Sequence, residues 1–187
     1  MILRFVLSLG LLMAALPGLA GPVPYDLDLK ASKVVFFYAM NGRETRGVFP
    51  VERATTLVDL QDVRRSSLDV TVATRFVQAG DPVVTLAIQS ADMLATGRHP
   101  TAHFVSTRIV PNEKGAQITG DLTLKGVTHP VTLDAVFQRR ADAPADNSEL
   151  ILQVKGTVSR KAFGVIGFPE LVDDEITLRF QVHLIRE

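Results

Sequence analysis

Apolar residues recur at every second position through most of this chain, and that period admits little besides a half-buried β-sheet. Val34, Phe36 and Tyr38 fall on one face of a strand, as do Leu68, Val70 and Val72, then Ile118, Leu122 and Leu124. Val131, Leu133, Ala135 and Phe137 follow, then Leu150, Leu152, Val154 and Val158, and lastly Ile176, Leu178, Phe180, Val182 and Leu184. Turn-forming segments lie between them at Asn41-Gly42, at 112–115 and at 141–147, where Gly, Asn, Asp and Pro collect. The stretch from Gly120 to Leu133 (GDLTLKGVTHPVTL) holds two alternating runs around Lys125-Gly126, the pattern of a β-hairpin. About eight strands joined by short connections predict an antiparallel meander. Such a sheet is well served by closing into a barrel, which leaves no free edge to pair with another chain.

One segment departs from the alternation. Asp81-Pro82 pairs a helix-capping carboxylate with proline at the first helical position, the usual opening of a helix. Val84, Ala87, Ile88 and Ala91 then fall on one helical stripe, which predicts a helix over 82–95. The β-branched run Val83-Val84-Thr85 leaves a strand open as the alternative.

The first 20 residues read differently again. Arg4 is their single charge, Phe5 to Leu16 is nearly all apolar, and Pro17-Gly18 and Ala20 follow. This is the layout of a cleaved secretory signal peptide. The apolar run is too short for the roughly 20 residues that span a bilayer. The expected domains are therefore a signal at 1–20 and one barrel at 21–187, with the periplasm as destination. The absence of cysteine excludes a lipid-anchored amino terminus and any disulfide, so the exported fold must rest on its core. Removal of Arg4 leaves 19 basic against 20 acidic residues, a formal net charge of −1. That balance points to no nucleic acid and no anionic surface as partner.

No catalytic constellation assembles. There is no cysteine nucleophile, no Gly-x-Ser-x-Gly elbow and no glycine-rich phosphate loop. Asp173, Asp174 and Glu175 read as a solvated turn before the last strand. His99 and His103 would converge on a metal only in a helix, whereas Thr101 to Val110 reads as a strand, so no metal site is expected. His183 alternates with apolar neighbours and should face solvent.

Four segments together resemble the YceI-like family of periplasmic, lipocalin-shaped proteins that hold isoprenoids or other long-chain lipids. They are the Gly120–Leu133 hairpin, Ser90-Ala-Asp-Met-Leu with His99-Pro-Thr-Ala-His-Phe104, Val158-Ser-Arg-Lys-Ala-Phe-Gly164, and Val172-Asp-Asp-Glu-Ile176. The resemblance implies an all-β fold, an eight-stranded antiparallel lipocalin-like barrel with a short helix covering the mouth. It also implies a carrier or sequestering protein rather than an enzyme, with a bound isoprenoid, quinone or related lipid, no other cofactor, and a homodimer as a possible partner state. Stable membrane insertion is not expected. Three places depart from the family pattern. Met93-Leu94 stand where two aromatic rings are usual, His99 where a tyrosine is usual, and Val84, Thr85 and Ala87 where charged or imidazole side chains are common.

On the carrier reading, the lining is expected from Phe36, Tyr38, Phe49, Phe76, Met93, Leu94, Phe104, Phe163 and Phe168, each of which ordinary core packing would serve equally. Arg160 joins them as a candidate for a head group, through its forked donors. The competing use is bonding to nearby carbonyls. Burial of about 600 Å² of an isoprenoid tail at roughly 25 cal/mol/Å² would contribute near 15 kcal/mol gross, so few polar contacts are needed. A filled barrel presenting its lid helix to a protein partner shows the same alternation and stands as the rival.

Overall fold

The computed structural model describes residues 21–138 and 144–187; the expected signal peptide and part of the 141–147 turn lie outside them. The elements are β1 (Val23–Leu27), β2 (Lys33–Met40), β3 (Arg43–Val58), β4 (Ser67–Val72), α1 (Pro82–Gln89), β5 (Ala102–Asn112), β6 (Gly115–Leu124), β7 (Val127–Gln138), β8 (Glu149–Ser159) and β9 (Glu175–Arg186). Strands β2 to β9 pair antiparallel in sequence order, and β9 closes on β2 through Phe36↔Leu178 and Phe37↔Thr177. The result is the expected eight-stranded ring.

The ninth strand, β1, was not foreseen. It wedges between the far ends of β3 and β9, with Tyr25 opposite both Thr56 and Arg186. There β2 no longer reaches β9, and the main chain of His183 is instead bonded by Asp28 N–H and the Ser32 hydroxyl. The whole of β3 also escaped the period-two reading. A bulge between Val51 and Arg53 shifts its register, so Phe49 and Val51 before it and Ala54, Thr56 and Val58 after it all face inward in two different phases.

Local chemistry explains the hairpins. Lys125 and Gly126 (φ 53° and 77°), like Asn41 and Gly42 (φ 51° and 72°), are both left-handed, the two-residue turn whose twist matches the strands it joins. Helix α1 begins as expected: the Asp81 carboxylate accepts from Val83 N at 2.7 Å and Val84 N at 3.3 Å. It ends earlier than expected, at Gln89 rather than 95. Ser90 turns extended and its N–H returns to Ala87; the next residues form turns closed on the Ser90 carbonyl by Met93 and Ala95. Ala91 is consequently exposed, and Met93 and Leu94 are buried by the turn rather than by a helical stripe. No helix among the described residues is long and apolar enough to cross a membrane.

Candidate functional site

The inward rows of the strands do not meet at the barrel axis; they enclose two chambers. The chamber under α1 has a volume of about 280 Å³ and the one at the far end about 200 Å³. Val34, Val72, Ala102, Leu122 and Leu178 line both, so the chambers are adjacent and meet at a waist made of these five residues. Together they fall within the range of small-molecule sites, roughly 300–1,000 Å³. Their walls are almost wholly carbon.

Two glycines explain why the lumen stays open. Gly47 and Gly120 lie on inward positions of β3 and β6, and a methyl group on either would overlap an aromatic ring, Phe36 in the first case and Phe104 in the second. The outer edge of each ring occupies the space that a side chain at the glycine would take. Phe36 continues this wall by stacking on Phe49 with ring centres 4.6 Å apart and on Tyr38 at 5.9 Å, distances at which offset rings attract. Two hydroxyls are enclosed within these walls rather than on their surface, Tyr38 Oη beside the helix-end chamber and Thr56 Oγ1 beside the far one. Both are buried and neither has a hydrogen-bond partner.

The helix-end mouth is made of non-strand segments that Arg160 ties together. Arg160 is 4 % exposed. Its Nε donates to Asp173 O, Nη1 to Val165 O and Gly167 O, and Nη2 to Val172 O, at 2.7–2.9 Å. Four of its five N–H donors thus serve main-chain carbonyls of one loop. Asp174 is no mere solvated turn residue, because its carboxylate accepts from Lys161 N–H and the Ser159 hydroxyl. Those two bonds hold it below the usual carboxylate range. Within the loop Phe168 takes a left-handed conformation (φ 52°), uncommon for a bulky residue. Phe168, Leu171 and Val83 line the chamber while remaining exposed, and Leu86 beside them is 69 % exposed. The apolar wall therefore continues out onto the rim.

The far end is closed differently. Tyr25, Val58, Leu150 and Leu184 pack together, and Tyr25 Oη donates to Asn147 O at 2.8 Å. The buried Asp59 carboxylate gathers the N–H groups of Gln61 and Asp62 and the Arg65 guanidinium. The Asp62 N–H, ahead of the Arg65 side chain, holds Asp59 below the usual carboxylate range against the opposing effect of burial.

Of the residues expected to form the lining, Phe36, Tyr38, Phe49, Met93, Leu94, Arg160 and Phe168 surround the helix-end chamber, and Phe104 the far one. Phe76 and Phe163 line neither. Phe76 ends a short 3-10 turn and projects outward with the Arg75 guanidinium over its ring. Phe163 is buried beneath the mouth loop, edge-on to His129. The waist residues and Thr56 were missed as site residues; the parity of Val34, Val72, Leu122 and Leu178 points to them once aromatic size is no longer the criterion, whereas the bulge in β3 hides the phase of Thr56.

The histidines are dispersed. His103 pairs with Asp69 across the outer face at 2.8 Å, His99 covers Gly126, and His183 bonds Gln181. Among the described residues no three His, Asp or Glu side chains form a group fit for a metal.

Comparison with known proteins agrees with this geometry. The model of the YceI-like domain matches residues 25–184. A UPF0312 protein of Pectobacterium carotovorum is 31% identical over 129 residues, covering 69% of this chain and 67% of that protein. Protein YceI of Escherichia coli O157:H7 is 32% identical over 119 residues, 64% of this chain and 62% of its own length. The matched segment thus spans less than two thirds of that relative. Among solved structures, Burkholderia cenocepacia BcnA superposes with a TM-score of 0.76 at 24% identity, covering 84% of this chain and 99% of that one. A polyisoprenoid binding domain from Saccharophagus degradans, implicated in plant cell wall breakdown, gives 0.62 at 12% identity, covering 89% and 99%. At these identities the superpositions establish the fold.

Proposed function

The chain belongs to the YceI-like family, and on that premise we propose that it is an exported carrier or sequestering protein that holds a long-chain apolar ligand, a polyisoprenoid or isoprenoid quinone, inside its barrel. The observation that carries this reading is the pair of carbon-walled chambers that follow one another from the helix-end rim to the far end and share the residues of the waist. Apolar surface is what such a lumen withdraws from water, at roughly 25 cal/mol/Å², and a slender chain is the shape that threads a waist. A solved relative of the same fold described as polyisoprenoid binding supports the ligand class. The signal-like first 20 residues support the periplasm as the working compartment.

No reacting group is required. Within the helix-end chamber the sole charged side chain is already engaged by carbonyls, which supports binding over transformation. The rival, a filled barrel offering its lid to a protein partner, is favoured by exposed Val83 and Leu86 and opposed by the open lumen. Native mass spectrometry of the mature protein from its own periplasm, followed by organic extraction, tests the proposal. A stoichiometric isoprenoid or acyl mass is expected. Failure to bind any member of a tail-length series would overturn the carrier reading and bring the interaction module forward.

A further inference from the structure

Resting on the carrier reading, we propose that the protein selects its ligand by the hydrocarbon tail alone: the tail lies in the chambers, and the head group stays in water at the helix-end mouth. The two chambers offer a head group nothing to bond. Around the helix-end chamber the polar side chains are Tyr38 and Arg160. The Tyr38 hydroxyl is enclosed in the wall, and the buried Arg160 gives four of its five N–H donors to carbonyls.

The polar residues beside the far chamber are engaged elsewhere. Thr56 Oγ1 is enclosed, the Ser32 and Ser66 hydroxyls accept the main-chain N–H groups of His183 and Asp59, and Gln181 pairs with the His183 side chain. Lys33 and Ser67 are exposed and alternate with the lining residues Val34 and Leu68, so the strands turn them outward. A hydroxyl, carbonyl or phosphate drawn between these walls would give up its water without replacement. The helix-end chamber reaches the surface, because Val83, Phe168 and Leu171 line it while remaining exposed, so a head group can stop there. The ligand class is therefore any lipid with one unbroken hydrocarbon chain, whether it ends in an alcohol, a diphosphate or a quinone ring.

Three probes with one farnesyl tail test this: the alcohol, the diphosphate, and a diol with a second hydroxyl at the far tip of the tail. Each is titrated calorimetrically, below its aggregation concentration and at low salt, into the mature protein, Val83→Lys and Leu57→Lys. Alcohol and diphosphate are expected to bind wild type within about threefold of each other, and the diol about tenfold more weakly, because its second hydroxyl is buried unpaired. Val83→Lys sets a cation at the mouth and should raise the ratio of diphosphate to alcohol affinity about threefold. Leu57→Lys sets the same charge beside the far chamber and should leave that ratio as in wild type.

A wild-type preference for either head beyond that range overturns selection by tail, as does a diol that binds as well as the alcohol. A raised ratio in Leu57→Lys, or in neither variant, overturns the placement of the head at the mouth. Each of these results leaves the carrier reading standing, whereas no binding of any probe to wild type breaks the carrier reading itself.

Discussion

The two chambers share the same strands yet are closed by different means. The far end is bounded by sheet: β1 continues the ladder onto β3 and β9, and the Tyr25 cluster packs beneath it. The helix end is sealed by α1, the turns after it and the 160–174 loop, whose carbonyls face one buried guanidinium. Irregular segments cannot satisfy one another's main chain as strands do, so a single side chain is given that task. Ladder-bonded structure opens at a free energy near that of global unfolding, whereas loops held by few contacts open more cheaply. The helix end, with its exposed apolar rim, is therefore the mouth in the sense that it opens more cheaply, and the laddered far end is the more rigid floor, though Leu57 and Phe137 of its lining are also exposed.

The sharpest way to break this contrast is to separate the chambers. Ala102 lies at the waist and is buried. Ala102→Trp should abolish retention of tails longer than one chamber while sparing short ones, as measured by a tail-length binding series. An equal loss for all lengths would show that the waist is not a passage.

Arg160→Ala comes next. It strips several buried carbonyls of their donor and should cost about 3 kcal/mol or more of stability, read by denaturant unfolding. Hydrogen exchange should rise at 160–174 and stay unchanged at β1. Uniform exchange across both ends would refute the division into mouth and floor.

A smaller effect compares the two glycines. In Gly47→Ala the obstruction is the Phe36 ring, whereas in Gly120→Ala it includes the Val105 carbonyl oxygen of the main chain. Overpacking costs typically 1–3 kcal/mol, and Gly120→Ala is expected at the upper end because backbone yields less than a ring. Thermal melts that rank the two the other way would contradict the picture of ring edges held in the space beside the glycines.

Acid provides the gentlest probe. Asp59 at the floor and Asp174 at the mouth both titrate below their ordinary value. A depressed folded pKa means that the unfolded chain takes up the proton first. Their contribution is thus fully present above the unfolded carboxylate value of about 3.9, and is lost as pH falls through the folded value. Asp59→Asn should flatten the acid limb of the stability curve below about pH 4 and change its neutral part less steeply with pH. An unaltered acid limb would remove Asp59 from the floor's fastening.

Alternation made the barrel legible because inward and outward residues of a half-buried strand face different solvents, and that difference is written directly into residue type. It reached β2, β4 and β6 to β9, and capping chemistry located the start of α1. It failed where tertiary pairing sets the phase. The bulge at Val51 changes which residues of β3 point inward, and β1 is too short to show a period. Choosing the lining by aromatic size found Phe36 and Phe104 but also chose Phe76, which faces solvent, and passed over Ala102 and Leu178.

Sequence by itself determined that this chain is an alternating, disulfide-free sheet with a capped helix, since those properties depend on neighbours two to four residues apart. Only the tertiary structure decided that the barrel is hollow, that Arg160 fastens a loop, and that Tyr38 and Thr56 lack partners. Each of those depends on which side chains from distant strands come within a few ångströms, and a side chain's volume or polarity does not reveal whether the space and partners around it are filled.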